Sequence, residues 1–227
     1  MDARLRCPVR KASAPTAKDY IQDGLIAMWD GIENAGWGVH DSAAATWVDL
    51  AGGLDLTMLV NGRWGSNCVV ANGAVLAKRT CSLLMSSLVC CEVVVSQGTA
   101  NKMQGTVVWF DNGKKKDQKY FCMENEMVYS KYGNYAFNLG RANSYSLNWN
   151  NIVCYGDGVL LGRVSHEYNP DAVGGEIVIG SRAVFMGSYG FYLSSGIKIH
   201  SIRIYNRTLT YDEIAHNYDI DKERFGL

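Results

Sequence analysis

Proline is scarce in this chain, with three residues in 227. No apolar run approaches the roughly 20 residues that a membrane-spanning helix needs. The basic start, Met1–Lys11, is not followed by the roughly 7–15 apolar residues of a cleavable export signal. A cytoplasmic or particle-enclosed location is therefore expected over classical secretion. Surplus charge is missing too: 22 Lys and Arg balance 22 Asp and Glu. Without excess cations, non-specific nucleic-acid binding loses its counterion-release drive. There is no Cys-x-x-Cys pair, no His-Glu-x-x-His and no Gly-x-Ser-x-Gly. A zinc framework, a zinc protease and a nucleophile elbow thus have no support.

Seven cysteines are present, and an odd count cannot form a fully paired disulfide framework. Cys68, Cys81, Cys90, Cys91, Cys122 and Cys154 sit in apolar, strand-like runs and are expected as reduced core thiols. Cys90 and Cys91 are adjacent, so in a strand they point to opposite faces.

Charge is unevenly spread. Residues 1–18 hold five cations and one anion, together with two of the three prolines, leaving 17 cations and 21 anions for the rest. This segment reads as a flexible basic arm, followed by one domain over 19–227. Beyond Tyr20, short apolar runs alternate with turn signals such as Gly52-Gly53, Asn61-Gly62, Asn72-Gly73 and Gly156-Asp157-Gly158. That rhythm predicts an all-β sandwich or barrel, because Asn-Gly and Asp-Gly accept the positive φ of tight hairpins. The strand candidates include Leu25–Trp29, Leu54–Val60, Ala74–Ala77, Val89–Val95, Tyr120–Tyr129 and Ile197–Tyr205. Tyr145, Leu147 and Trp149 alternate with Ser144, Ser146 and Asn148, which predicts one buried and one wet face. In Ile197–Tyr205 the apolar phase switches near His200-Ser201, the mark of a β-bulge. Thr210 and Glu213 form a capping box and Leu209 and Ile214 a hydrophobic staple, so a helix should run from about Tyr211 to about Asp221 or a little beyond.

The two ends of this domain carry a family pattern. Near the start stand Gly24-Leu-Ile-Ala-Met-Trp-Asp-Gly31, Gly38-Val-His-Asp-Ser42 and Thr46-Trp-Val-Asp-Leu50. Near the end stands Ile199-His-Ser-Ile-Arg-Ile-Tyr-Asn-Arg-Thr-Leu-Thr210, running into Asp212-Glu-Ile-Ala215. The chain thereby resembles the laminin-G-like, concanavalin A-like jelly-roll domains, particularly those of gut bacteria and their phages and prophages. The resemblance implies a two-sheet antiparallel jelly-roll sandwich with one short C-terminal helix. Members include carbohydrate-binding modules, adhesion modules, enzymes and structural fillers, so the fold alone names no function.

For hydrolysis, the superfamily's β-glucan-cutting enzymes place acids at i, i+2 and i+4 on one strand. Here Glu124 and Glu126 share a face, but the third position is Cys122 or Val128. The four histidines are scattered, and Lys114-Lys115-Lys116 reads as a solvated hairpin tip. No catalytic residue is assigned and no cofactor is expected. Calcium is the one cation the resemblance admits, through Asp30, Asp41 and Asp49. Glycan binding needs rings to stack on sugar faces, and Trp37, Trp64, Tyr132, Tyr135, Tyr189 and Tyr192 lie in Gly- and Asn-rich segments. The expectation is a non-catalytic recognition or assembly module, a phage particle component or surface protein that binds glycan. Its partners would be a glycan or other virion or surface proteins, with homo-oligomers expected and neither nucleic acid nor membrane insertion. The alternatives are a glycoside hydrolase of the same superfamily and a purely structural decoration protein.

Overall fold

The computed structural model describes residues 13–59, 63–100, 104–111, 119–124, 127–130, 135–138, 144–149, 153–163, 173–180 and 193–227. At 85, 111, 124, 127–130, 135–138 and 173–174 only the backbone is described. The strands are β1 (Leu25–Asp30), β2 (Thr46–Trp47), β3 (Leu56–Met58), β4 (Val69–Val70), β5 (Ala77–Leu84), β6 (Cys90–Ser96), β7 (Gly105–Asp111) and β8 (Lys119–Glu124). They continue as β9 (Met127–Ser130), β10 (Tyr135–Asn138), β11 (Ser144–Asn148), β12 (Val153–Gly156), β13 (Val159–Arg163), β14 (Val173–Ile179) and β15 (Lys198–Tyr205). The helix α1 (Tyr211–Phe225) closes the chain.

These strands form two antiparallel sheets. The first runs β1-β15-β6-β11-β12-β13, with β4 added on β15, and the second runs β10-β9-β8-β7-β14-β5-β3-β2. The chain crosses between sheets after each of β1, β3, β4, β5, β6, β10, β13 and β14, so strands distant in sequence become neighbours. This is the two-sheet sandwich of jelly-roll type that the family resemblance implies.

Alternation explains the core. Cys91, Val93 and Val95 on β6 face inward, as do Ile177 and Ile179 on β14 and Phe121 and Met123 on β8. Trp29, Trp47, Phe110, Tyr145 and Trp149 join them, and Phe110 meets Trp149 edge to face at 5.8 Å. Each fully buried aliphatic or aromatic side chain contributes about 1.5–3 kcal/mol. Cys90 and Cys91 do point to opposite faces: Cys91 enters this core, and Cys90 packs with Tyr205, Leu209 and Ile214 beneath the helix. The six cysteines among the described residues are all free thiols.

The structure corrects several local expectations. Tyr120–Tyr129 is two strands, β8 and β9, rather than one. The strand expected at Ala74–Ala77 instead starts at Ala77 and extends to Leu84, with exposed Lys78, Thr80 and Ser82 on one face. Its weak apolar content hid it. The predicted bulge lies between Ile199 and Ser201. As expected, the helix starts at Tyr211 and runs a little beyond Asp221, to Phe225, stopping where Gly226 takes a left-handed φ of 70°, a conformation glycine adopts without Cβ strain. The largest correction concerns β11. Ser144, Ser146 and Asn148 are buried, at 8%, 4% and 4% exposure, because the C-terminal segment covers the face expected to be wet.

The start of the domain packs onto the same cover. A 3-10 turn at Ala17–Asp19 is capped by Thr16. The Ala17 N–H donates to Glu33 Oε1 at 2.8 Å, and Arg224 donates to the Pro15 carbonyl. Residues 16–18 of the segment read as an arm are thus held against the body, and residues 1–12 lie outside the described residues. Among the described residues no helix is long and apolar enough to cross a membrane.

Candidate functional site

Two of the six aromatic residues picked out for stacking have described side chains. Trp37 stands 39% exposed in a loop, with Lys18 Nζ 5.4 Å from its ring centre. Trp64 is half-buried. Its ring meets Trp47 edge-on at 5.2 Å and its indole N–H donates to the Ala44 carbonyl. It closes one end of the core. Tyr135 opens β10, but its side chain is not described, and Tyr132, Tyr189 and Tyr192 lie outside the described residues, as do Glu126 and Lys114 to Lys116.

The matched aspartates fasten turns. Asp49 accepts backbone N–H groups from Met28, Ala51, Gly52 and Leu54. Asp41 accepts from Ala43, and Asp30 from Ile32 and Glu33. Asp30 also meets Arg224 at 2.8 Å, and its burial pushes its carboxyl pKa up. Among the described residues no group of three His, Cys, Asp or Glu side chains could hold a metal ion. His200, which sequence leaves unassigned, is buried between the Ser96 hydroxyl and the Asn67 carbonyl, and this burial lowers its pKa.

The outer face of the first sheet holds the densest chemistry. There Glu92 of β6 and Arg203 of β15 point away from the core and meet at 2.9 Å. Arg203 extends a second pair of bonds to both oxygens of Asp221 on α1, at 2.8 and 2.9 Å. Asp221 also accepts from the Tyr20 and Ser144 hydroxyls, and Asn217 donates to Glu92 and to Tyr205 Oη. Burial disfavours charge on Arg203, but Asp221 and Glu92 outweigh it and hold the guanidinium protonated. Burial pushes the Glu92 carboxyl up, against the pull of Arg203. Every partner of this network is satisfied internally, which makes it a fastener for helix and N-terminal turn rather than a site for substrate.

The cover ends partway along the face, and an open cleft of about 170 Å3 lies at its margin. Its lining is Cys90, Ser146 and Asn148 from β6 and β11, Val153, Tyr155 and Arg163 from β12 and β13, and Thr208, Leu209 and Ile214 from the helix entry. The register explains this gathering. Ser146 opposes Tyr155, Asn148 opposes Val153, and Val153 opposes Arg163, so all stand on the same outer face. Asn148 Nδ2 donates to Thr208 Oγ1 at 2.6 Å, joining floor to wall. Tyr155 stands 6.2 Å from the exposed Tyr211 ring. The β12–β13 hairpin needs glycine at Gly158, where φ is +74° and a Cβ would press on Tyr218 of α1 at 3.1 Å. Sequence reasoning missed Tyr155, Arg163 and Thr208. The polar alternation of β11 was the available signal, yet it pointed to solvent instead of a covered face with an open margin.

The fold and this cleft define a two-sheet jelly-roll sandwich with a small open pocket of mixed polar and apolar lining that includes one tyrosine. No known family model matches the sequence, and no curated protein sequence does. Among solved structures the chain is similar to Trypanosoma rangeli sialidase, at 14% identity and a TM-score of 0.57, over 88% of this chain and 33% of that one. The same sialidase in complex with sialic acid matches at 16% identity and a TM-score of 0.56, over 93% and 34%. The binding domain of botulinum neurotoxin serotype D matches at 14% identity and a TM-score of 0.56, over 88% and 52%. The chain therefore spans about a third of the sialidase and about half of the toxin domain. These likenesses show a shared β-sandwich fold.

Proposed function

We propose that the protein is a non-catalytic recognition module that binds carbohydrate. The observation that carries this reading is the open cleft. It offers a tyrosine ring, an amide and two hydroxyls, the groups that stack on and hydrogen-bond to a sugar, and among the described residues no carboxylate lines it. Glycoside hydrolysis in the usual two-carboxylate form needs a pair flanking the scissile bond, about 5–10 Å apart. The buried acids Asp30, Glu33, Asp49, Glu92 and Asp221 are held by ion pairs or backbone N–H groups. Support from outside the chain is that solved structures of this fold include a sialidase bound to sialic acid and a toxin receptor binding domain. Trp37 is a second stacking surface in this reading, and calcium has no part in it. Placement on a phage particle or bacterial surface rests on the sequence resemblance alone. Binding of the full chain to a glycan array, weakened in Tyr155→Ala, is the expected result. An array that stays blank removes the reading.

One observation favours a second reading, a structural decoration protein. Val159 and Leu160 of β13 are 64% and 48% exposed, apolar side chains on the two faces of the strand that ends the first sheet, suited to a neighbouring protein surface. Native mass measurement tests it: a stable oligomer that dissociates in Leu160→Lys supports assembly through this strand, and a monomer removes it.

A further inference from the structure

We infer that the cleft between α1 and β11–β13 is selective for a single sugar ring bearing a carboxylate, with Arg163 as the residue that reads the charge. The inference rests on the carbohydrate reading and adds the class of sugar and its site. Size gives the first argument: about 170 Å3 falls below the roughly 300 Å3 at which drug-sized ligands begin, so one ring fits and a longer chain must project outward. Charge gives the second. Arg203 is ion-paired to Glu92 and Asp221, Arg207 to Asp23 and Glu213, and Arg224 to Asp30 and Glu33. Among the described residues Arg163 has no carboxylate partner, is exposed, and is the only charged residue lining the cleft.

A guanidinium is a planar fork that matches a carboxylate with two parallel hydrogen bonds. In the same lining, Ser146 and Thr208 supply hydroxyls and Asn148 an amide, from β11 and the helix entry that Asn148 and Thr208 tie together. Tyr155 supplies a ring face beside them. A carboxylate on Arg163 would thus orient the sugar with its hydroxyls toward those groups. A neutral ring would keep those contacts and lose the ion pair.

The test is a calorimetric or NMR titration of the full chain with N-acetylneuraminic acid and glucuronic acid, against galactose, glucose and acetate. The acidic sugars should bind, and Arg163→Gln should weaken them about 10-fold or more, the size of one charge-assisted bond. Arg163→Lys should recover part of that loss, because it restores charge without the fork. Galactose and glucose should change less than about twofold in the same variants. Equal binding of acidic and neutral sugars, or unchanged acid binding in Arg163→Gln, overturns the inference and leaves the carbohydrate reading in place. Acetate binding as tightly as the acidic sugars overturns the sugar part, since the pocket would then read charge alone. Binding of no sugar by the titrations and the array removes both.

Discussion

Two regions share the outer face of the first sheet and differ in what lies over them. Beneath α1, the polar side chains Glu92, Ser144, Arg203 and Tyr205 are buried and close a hydrogen-bonded circuit with Tyr20, Asn217 and Asp221. A few ångströms along the same strands, Ser146 and Asn148 meet Tyr155 and Arg163 in an open cleft. The strands supply polar groups to both. In the first region a charge out of water survives because its partners are fixed around it. In the second the Arg163 cation is exposed and keeps its hydration. A closed ion-pair circuit and an open cleft are thus divided along one sheet face by the edge of one helix.

That division breaks most visibly at its centre. Arg203→Met strands Glu92 and Asp221 in the dry region, and removing one partner of a buried ion pair costs about 3–5 kcal/mol. Urea unfolding should register that loss, and a change below about 1 kcal/mol would show the circuit to be wetter than its burial implies. Tyr20→Phe deletes the hydroxyl that donates to Asp221 at 2.7 Å. A hydrogen bond to a charged group contributes about 1.5–3 kcal/mol, and the melting temperature should fall accordingly, with sugar binding unchanged.

At the boundary between the regions, Thr210→Ala removes the helix cap and should cost about 1 kcal/mol. Glu213, the cap's reciprocal partner, is bonded to Arg207, which holds its carboxyl down from 4.5 to about 2. A carboxyl lowered in the folded state stabilises fully above its unfolded value and loses that contribution as pH falls through the folded one. Glu213→Gln should therefore flatten the decline of stability between about pH 4.5 and about pH 2, as read by unfolding at a series of pH values. The smallest effect belongs to the open region. Arg163→Gln should leave stability within about 0.5 kcal/mol, as for an ordinary surface position. A larger drop would mean that Arg163 is structural and would dissolve the contrast.

Much of the sandwich was legible because strand alternation, turn glycines and helix caps are local. The phase switch in β15 located its bulge, and Thr210, Glu213, Leu209 and Ile214 located the helix start. The candidate site was far less legible. Trp64 has the loop setting of a stacking residue, yet its N–H is bonded to Ala44 and its ring to Trp47. Tyr155 and Arg163 sit in unremarkable strand segments, and only the antiparallel register sets them beside Ser146 and Asn148.

The amino-acid sequence by itself determined an all-β sandwich or barrel, reduced cysteines on defined strand faces, and a capped helix at the end. Each follows from side-chain periodicity and backbone preference over a few residues. Tertiary structure alone decided which polar groups are buried, which arginines are paired, and where the covering helix stops. Tyr20 and Asp221 are 201 residues apart in the chain and 2.7 Å apart in space. Whether a polar side chain is a fastener or a ligand contact depends on such partners, and no local pattern carries their positions.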